Sequence, residues 1–323
     1  MESTQTLLSR IESYISQIAL PEQPSRLYQP ITYTLEGGGK RLRPMLTMLA
    51  CGIFRTDDSV ALPAAAAIEV FHNFTLLHDD IMDNAPLRRN KPTVHASWGQ
   101  NVAILSGDVM MILAYKLLCG VPAEYLPAVL DRFNHFATEV CEGQQYDMDF
   151  ESRADVSIEE YMRMIELKTS VLLGGATVIG AILGGGSAEQ CDKLERFATE
   201  LGLAFQLQDD YLDSYGDVEL GKSIGGDILE GKKTFLMITA LNRADDKQSQ
   251  KLQTIYKDEA KSDEQKIKEV KSIFDALEIP RLTLEKIGEK FDCALEVLDS
   301  LDIEPSKLED IRAYAKSLVN RKK

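Results

Sequence analysis

The sequence has 323 residues, 44% of them hydrophobic, and a formal net charge of −15. Its hydrophobic content is ample for a buried core, which excludes a chain that is disordered throughout. The excess of acidic residues argues against a protein that holds the backbone of a nucleic acid or an anionic membrane surface. Any phosphate group that the protein binds must therefore be met by local cations or by a metal ion.

The cysteines and the N-terminal residues bear on the compartment. Five cysteines, an odd number without a C-x-x-C pair, predict neither a disulfide framework nor a zinc site. The N-terminal residues lack the basic start and the apolar run of a signal peptide, so we expect a cytoplasmic protein. Residues 171–186 are apolar and rich in glycine, but about 20 residues are needed to span a membrane. We interpret them as a buried helix and expect no transmembrane segment.

Helical periodicity runs through almost the whole chain, and hardly any stretch alternates apolar and polar residues as a strand does. No repeat, low-complexity tract or proline-rich linker divides the sequence. We therefore predict an all-α fold with a single domain over residues 1–323. The predicted helices cover residues 3–19, 25–36, 44–54, 63–84, 99–118, 124–149, 157–183, 187–214 and 232–243, with several more after residue 247.

An Asp-Asp-x-x-Asp cluster, Asp79 to Asp83, closes the predicted helix over residues 63–84. Residues three and four apart share one side of a helix, so Asp79 and Asp83 project together with His72 and Thr75. The middle residue, Asp80, points about 100 degrees away, which predicts a secondary role for it and for Asp210, the corresponding residue of the second cluster. The stripe that bears the carboxylates is typical of a cavity wall.

A second cluster, Asp209 to Asp213, closes a helix that is apolar almost all round, and Gln206 lies on the same face. Burying unpaired carboxylates costs several kcal/mol each, so these groups must meet water, cations or metal. Carboxylate oxygens are the ligands that Mg²⁺ prefers. One such cluster could be simple helix-end charge, but two clusters favour a magnesium site.

Basic residues lie close to both clusters in the sequence. The segment GGGKRLRP, residues 37–44, joins a glycine loop to a helix start, where free N–H groups and cations can bind an anion. Arg88 and Arg89 follow the first cluster, and their guanidinium groups match phosphate oxygens in geometry. Residues 214–233 form a glycine-rich, lysine-bearing segment that we interpret as a lid. A solvated basic turn and a plain surface loop remain open alternatives for these two segments.

Three further residues allow two interpretations each. His72 can contact phosphate or can be a satisfied core histidine, since it lies two turns before Asp79. The pair Lys168 and Thr169 sits inside a helical run, where composition alone indicates an ordinary surface position.

The ordered set GGGKRLRP, FHNFTLLHDDIMDNAPLRR, KT, FQLQDDYLD and the lysine-bearing glycine segment resembles the trans-isoprenyl diphosphate synthases, or polyprenyl synthetases. Within them it is similar to the short-chain geranylgeranyl and farnesyl diphosphate synthases. The motifs span residues 37–233 in the order of that family. The resemblance implies a transferase of isoprenoid biosynthesis, a helical bundle around a deep central cavity, a homodimer, and three Mg²⁺ ions in each active site.

The resemblance also implies roles for individual residues. The metal ligands would be Asp79, Asp83, Asp209 and Asp213. The diphosphate of isopentenyl diphosphate would be bound by Lys40, Arg43, His72 and Arg89. The allylic diphosphate would be bound by Arg88, Lys168, Thr169, Gln206, Lys222 and Lys232. The residues acting directly in catalysis would be Asp79, Asp83, Arg88, Lys168, Asp209 and Lys222.

The reaction that the resemblance implies is head-to-tail condensation of isopentenyl diphosphate with an allylic diphosphate, to give all-trans products of C15 to C20. Phe71, Phe74 and Thr75 would set the product length, although both phenylalanines can also be plain core residues. A terpene cyclase or head-to-head synthase would lack the GGGKRLRP segment. A non-catalytic partner subunit would have lost aspartates or arginines that are present here.

Overall fold

The computed structural model describes residues 4–216 and 225–319. The chain divides into two compact units. The first comprises residues 1–135, 173–195 and 301–314, and the second comprises residues 136–172, 196–300 and 315–323. The prediction of a single domain over residues 1–323 and that of a deep central cavity both stay predictions.

The first unit contains six helices before residue 120 and a two-stranded hairpin. The helices are α1 (Thr4–Ser16), α2 (Ser25–Leu35), α3 (Leu42–Phe54), α4 (Leu62–Met82), α5 (Val94–Trp98) and α6 (Gln100–Leu118). A 3-10 turn, Ser59–Ala61, leads into α4. The helix α4 packs against α1, α2, α3, α5 and α6, so it is the central element of this unit. Its first half is a run of buried alanines, whose small side chains let neighbouring helices approach closely.

The hairpin consists of β1 (Leu87–Arg88) and β2 (Lys91–Pro92), which pair antiparallel with Arg88 opposite Lys91. Arg89 and Asn90 form its two-residue turn, and both have positive φ, 53° and 61°. Two left-handed residues in succession are what a tight hairpin turn of matching twist requires. These strands were not predicted, because two residues are too few to show an alternating pattern.

The remaining elements begin with α7 (Leu126–Ser152), α8 (Ile158–Ile165), a π-helical segment (Glu166–Ser170), α9 (Val171–Gly184) and α10 (Ala188–Tyr215). They continue with α11 (Gly226–Glu230), α12 (Phe235–Arg243), α13 (Asp246–Thr254), a 3-10 turn (Ile255–Lys257), α14 (Asp263–Ala276), α15 (Ile279–Asp299) and α16 (Pro305–Val319). Capping boxes at Ser157, Asp245 and Ser262 fix the starts of α8, α13 and α14.

The described residues of the second unit form two hydrophobic clusters. One gathers residues of α7, α8, α10, α12 and α15, including the fully buried Leu207 and Tyr161. The other gathers residues of α11, α12, α13, α14 and α15, including Phe274 and Ile279. Because α12 supplies residues to both clusters, it joins the helix of the second aspartate cluster to the C-terminal helices of this unit.

The all-α prediction is confirmed. Predicted and observed helices agree over residues 25–36, 63–84, 99–118 and 187–214, with ends that differ by one or two residues. The helix predicted over residues 157–183 is interrupted by the π-helical segment. Part of the predicted lid is helical, since Gly226–Glu230 forms α11 with Ile228 buried.

Within residues 4–216 and 225–319, three helical stretches are long and apolar enough to cross a membrane when only length and composition are considered. They are Ser59–Met82, Gln100–Leu118 and Ile158–Gly184, with 61%, 39% and 78% of the apolar window buried. The expected absence of a transmembrane segment and the expected cytoplasmic location therefore stay predictions.

Candidate active site

The first aspartate cluster lies at the C-terminal end of α4, and the hairpin brings a guanidinium group onto it. Arg88 Nε donates to Asp80 Oδ1 at 2.6 Å, and Arg88 Nη2 donates to Asp79 Oδ2 at 3.2 Å. Asp83 is exposed and ends the helix, with its N–H bonded to the Asp79 carbonyl oxygen. Arg88, predicted to bind allylic diphosphate, thus bridges two carboxylates of the first cluster.

Asp80 has a larger structural role than the sequence indicated, because it holds Arg88 in place. Its side chain is buried, unlike that of Asp83 at the other end of the cluster. Burial raises the pKa of the Asp80 carboxyl, and the positive charge of Arg88 opposes that rise. Asp80 therefore anchors Arg88 beside the more exposed Asp79, which is a positioning role rather than a minor one.

The glycine loop, residues 37–41, lies against the turn of the same hairpin. Arg89 Nη1 donates to the Gly38 carbonyl oxygen. A β-carbon at Gly39 would lie 3.0 Å from both terminal nitrogens of Arg89, and Gly39 has φ +140°. The absence of a side chain at Gly39 thus lets a guanidinium group lie on the loop. The exposed Lys40 follows directly.

A buried ion pair that the sequence analysis missed holds the end of this loop. Arg41 Nη1 donates to Glu69 Oε1 at 2.7 Å, and Arg41 Nη2 donates to the Leu35 carbonyl oxygen at 2.9 Å. Asn73 Nδ2 donates to the same Glu69 oxygen at 3.2 Å. A glutamate inside the apolar run of residues 62–71, with an asparagine one turn later, was the signal that could have revealed it.

His72 and Arg43, both predicted to bind isopentenyl diphosphate, are neighbours in the first unit. Arg43 Nη1 lies 3.2 Å from His72 Nε2, and a guanidinium has only donors, so Nε2 accepts. Burial and the charge of Arg43 hold the pKa of the His72 imidazole well below its usual range, with Arg89 and Arg88 adding to the effect. His72 is therefore neutral and orients Arg43.

The three residues predicted to set product length lie on α4 in different environments. Phe71 is fully buried and packs edge-on against Phe133 of α7, with ring centroids 5.2 Å apart. Phe74 is only partly buried and lies 5.6 Å from Phe71, centroid to centroid. Thr75 Oγ1 donates to the carbonyl oxygen of His72 in its own helix. Of the three, Phe74 is the one with a large side chain that is not enclosed by the core.

In the second unit, the middle residue of the second cluster is a hub of hydrogen bonds. Tyr161 OH donates to Asp210 Oδ2, and Gln206 Nε2 donates to Asp210 Oδ1 at 2.9 Å. Burial and the nearby Asp227 carboxylate raise the pKa of Asp210 well above its usual range. Asp209 is partly exposed beside it. Like Asp80, Asp210 anchors its surroundings, although the sequence indicated a secondary role.

Lys168 and Thr169, predicted to bind the allylic diphosphate, lie in the π-helical segment. Thr169 Oγ1 donates to Gln206 Oε1 at 3.0 Å, which adds Thr169 to the Asp210 network. Lys168 Nζ lies 2.6 Å from Asp147 Oδ2 of α7. Asp147 was not predicted, because a carboxylate on the polar side of a long helix gives no signal by itself.

The last predicted residues follow the second cluster. Asp213 Oδ2 accepts the N–H of Asp227 at 3.1 Å, and this contact fixes the start of α11. Lys232 Nζ lies 3.0 Å from Glu230 Oε2 and 3.8 Å from Asp227 Oδ1. Lys222, predicted to bind the allylic diphosphate, lies outside the described residues.

The two aspartate clusters offer only carboxylate oxygens as ligands for a metal ion. Within residues 4–216 and 225–319, no three Asp, Glu, His or Cys side chains are arranged as a complete metal site. Mg²⁺ usually takes only one or two carboxylates from a protein and completes its shell with water and substrate phosphates. The oxygen donors of Asp79, Asp83, Asp209 and Asp213 fit that chemistry.

Comparison with known proteins decides the family. The family model described as polyprenyl synthetase matches residues 24–274, which is most of the chain. The chain belongs to the polyprenyl synthetase family. As a member of that family it is a trans-prenyltransferase, and the resemblance found in its sequence motifs is confirmed.

Individual members of the polyprenyl synthetase family resemble the chain closely. It is 42% identical over 238 residues to a geranylgeranyl diphosphate synthase of Methanosarcina mazei, covering 73% of this chain and 74% of the relative. It is 42% identical over 272 residues to a short chain isoprenyl diphosphate synthase of Methanothermobacter thermautotrophicus, covering 82% and 80%. A crystal structure of a geranylgeranyl pyrophosphate synthase superposes with a TM-score of 0.94 at 40% identity and full coverage of both chains.

Proposed function

We propose that the protein is a Mg²⁺-dependent synthase that condenses isopentenyl diphosphate with an allylic diphosphate, head to tail, to give all-trans products of C15 to C20. The observation that carries the proposal is the hairpin arrangement, in which Arg88 lies on Asp79 and Asp80 while Arg89 lies on the glycine loop. Carboxylates for a metal and cations for a diphosphate are thus adjacent on one short structure. Family membership supports the substrate class.

Metal ligands in this proposal are Asp79 and Asp83 from α4 and Asp209 and Asp213 from α10. Mg²⁺ ions, three in each active site by resemblance to the family, would supply positive charge to the diphosphate leaving group. The protein's own part is to keep the carboxylates accessible. Asp80 and Asp210 are buried and hydrogen-bonded, whereas Asp79 and Asp209 beside them are partly exposed.

The remaining residues act on charge and position. Breakage of the allylic carbon–oxygen bond leaves its electron pair on the diphosphate, and Arg88, Lys168 and Lys232 would stabilise that anion. The alkene of isopentenyl diphosphate then attacks the allylic cation, and loss of a proton restores a double bond. Lys40, Arg43 and Arg89 would hold the second diphosphate. Neutral His72 would orient Arg43 and could itself donate through Nδ1–H.

Product length in this proposal depends on Phe74. The growing chain would extend from the first cluster along α4, and Phe74, five residues before Asp79, is a large aromatic side chain on that helix that the core leaves partly exposed. Phe71 behind it is fixed by Phe133 and gives Phe74 a rigid support. A stop at this depth is consistent with C15 to C20 products, with C20 slightly favoured.

A homodimer is also part of the proposal. The helix α6 exposes Ile104, Leu105 and Ile112, with Ile112 67% and Leu105 57% exposed. Three large apolar side chains on one face of one helix are typical of a surface that another chain covers. A second copy of this chain is the occupant that the family resemblance implies.

The decisive experiment is turnover with defined primers. Purified protein would be incubated with Mg²⁺, isopentenyl diphosphate and allylic primers of C5, C10 or C15, and the products sized by chromatography. We expect elongation that stops at C15 to C20 and that EDTA abolishes. No elongation with any primer would refute the proposed function, and products well beyond C20 would refute the assignment of length.

A further inference from the structure

The five residues between α8 and α9 form a single π-helical turn, Glu166–Ser170. The N–H of Val171 bonds to the carbonyl oxygen of Glu166, five residues back instead of four. Such a turn is wider than an α-turn by one residue, is rare, and is frequently found at functional sites. This one contains both Lys168 and Thr169, and two neighbouring helices contact it closely.

On one side the turn meets the backbone of α7. A β-carbon at Gly143 would lie 2.2 Å from the Lys168 nitrogen and 2.6 Å from the Lys168 α-carbon. Both are backbone atoms, which cannot rotate out of the way as a side chain can. Any residue larger than glycine at position 143 would therefore push the π-turn away from α7.

On the other side the turn meets α10 in the same manner. A β-carbon at Gly202 would lie 2.8 Å from the α-carbon and the β-carbon of Ser170, which is fully buried. The π-turn is thus held between two glycines, one on each flanking helix. All of these residues belong to the second unit.

Each flanking helix also supplies a polar side chain one turn after its glycine. On α7, Asp147 follows Gly143 by four residues and accepts a hydrogen bond from Lys168 Nζ at 2.6 Å. On α10, Gln206 follows Gly202 by four residues and accepts from Thr169 Oγ1 at 3.0 Å. Residues four apart lie on one side of a helix, so each glycine and its polar partner face the turn together. The backbone and both functional side chains of the turn are therefore fixed from two sides.

We propose that Gly143, Asp147 and Gly202 are positioning residues for the allylic substrate. The two glycines let the π-turn lie close to α7 and α10, and this position directs Lys168 and Thr169 towards the diphosphate. Asp147 orients the Lys168 ammonium group for the same contact. An ammonium has three donors, so Lys168 can keep Asp147 while it binds phosphate oxygens. This inference rests on the proposed function, because the diphosphate is the group that Lys168 and Thr169 would bind.

The first test is Gly143→Ala in the full-length protein, with kcat and both KM values measured separately. Displacing a binding group by about 1 Å can cost about 100-fold in rate, so we expect kcat/KM for the allylic primer to fall by about that factor, with a rise in the allylic KM as part of the loss. The KM for isopentenyl diphosphate should stay within about twofold, because its predicted ligands lie in the other unit.

Two glycine substitutions serve as controls. Gly180→Ala on α9 creates an equally close backbone contact, 2.1 Å from the Thr47 carbonyl oxygen, but in the first unit and away from the π-turn. We expect it to lower the melting temperature and to leave the allylic KM unchanged. Gly288→Ala on α15 should change neither quantity, because a β-carbon there meets no described atom within 4 Å apart from the backbone of its own helix.

A second variant keeps the inference testable if Gly143→Ala does not fold. Asp147→Asn keeps the shape of a partly exposed side chain and removes its charge. Lys168 must then be ordered when substrate binds, which costs roughly two- to tenfold in affinity. We expect that loss for inorganic pyrophosphate with Mg²⁺, measured by calorimetry, and for the allylic KM, with the KM for isopentenyl diphosphate unchanged.

The outcomes separate this inference from the proposed function. If the wild-type protein elongates primers but Gly143→Ala and Asp147→Asn change both KM values equally, or neither, the positioning role is refuted and the function stands. If the wild-type protein elongates no primer, the proposed function is refuted, and the inference falls with it. A selective loss for the allylic substrate in a folded variant supports the inference.

Discussion

Arg41 and Glu69 form an ion pair of 2.7 Å in which both side chains are almost completely buried. Arg41 precedes α3 and has a left-handed backbone conformation, φ 48°, at the end of the glycine loop. Glu69 lies ten residues before Asp79 on α4. The pair therefore ties the loop that carries Lys40 to the helix that carries the first aspartate cluster.

Removal of Glu69 should be costly, because it leaves a buried guanidinium without its counter-charge. We expect Glu69→Ala to lower the free energy of unfolding by about 3–5 kcal/mol, measured by urea denaturation. The control is Glu285→Ala, which breaks an exposed pair with Arg281 of 2.6 Å and should cost less than about 1 kcal/mol. Equal effects of the two substitutions would contradict the structural role of Arg41 and Glu69.

The two aspartate clusters should each be indispensable to turnover. We expect Asp79→Ala and Asp209→Ala to reduce kcat by at least about 100-fold, since each removes a charged group that acts on the leaving diphosphate. Circular dichroism should show an intact fold. Asp155→Ala, at an exposed ion pair with Arg153, is the control and should retain activity. A near-normal rate in either cluster variant would show that the metal ligands are misassigned.

The depressed pKa of His72 predicts a specific dependence of stability on pH. In the unfolded chain the imidazole has a pKa near 6.5, so below that pH the unfolded state binds a proton that the folded state does not. Stability due to His72 is therefore lost as the pH falls. At pH of about 5.5 this amounts to about 1.4 kcal/mol.

The measurement is a set of denaturation curves across this pH range for the wild-type protein and His72→Gln. Glutamine can still accept from Arg43 but does not titrate, so the variant should lose about 1.4 kcal/mol less between pH about 7.5 and about 5.5. Parallel stability profiles would contradict a neutral His72 in the folded protein.

Phe74 and Phe71 should respond differently to truncation. We expect Phe74→Ala to shift the products to longer chains with little loss of stability, because its side chain is partly exposed. Phe71→Ala should cost about 3–5 kcal/mol in the free energy of unfolding, because its side chain is fully buried. Chromatographic sizing and urea denaturation distinguish the two effects. Unchanged products from Phe74→Ala would exclude it as the residue that sets chain length.

The apolar face of α6 predicts an effect on assembly. A charge at the centre of an interface between two chains must be desolvated, so Ile112→Asp should convert the proposed dimer to a monomer in sedimentation velocity. Leu284→Asp is the matched control, because Leu284 on α15 is likewise a large exposed apolar residue, at 50%. This substitution should leave the assembly unchanged. A monomeric wild-type protein would contradict the proposed homodimer.

Much of the fold could be predicted from the sequence, because long helices repeat their apolar residues every three to four positions. The helix over residues 63–84 and its aspartates are examples. The hairpin was missed, since strands of two residues show no periodicity. It matters for the site because Arg88 contacts the first aspartate cluster and Arg89 contacts the glycine loop. The π-turn was missed because the backbone contacts at Gly143 and Gly202 hold it, and these are tertiary.

The roles of single residues could be predicted only in part. Asp79, Asp83, Arg43 and His72 were predicted from spacing and resemblance, and the structure brings the last two into contact. Asp80 and Asp210 were underestimated, because helical direction shows where a side chain points but not which group it meets. Asp147 and Glu69 have partners 21 and 28 residues away, and no local pattern records such pairs.

The hairpin restricts insertions and deletions in the segment that joins the first aspartate cluster to strand β1. Its register sets Arg88 opposite Lys91 and leaves Arg89 in the turn, so neighbouring arginines serve different parts of the site. One residue inserted between Pro86 and Leu87 would shift each side chain by one place. The arginine that now reaches the carboxylates would move into the turn. The number of residues between Asp83 and Arg88 therefore matters more for the site than the identity of those residues.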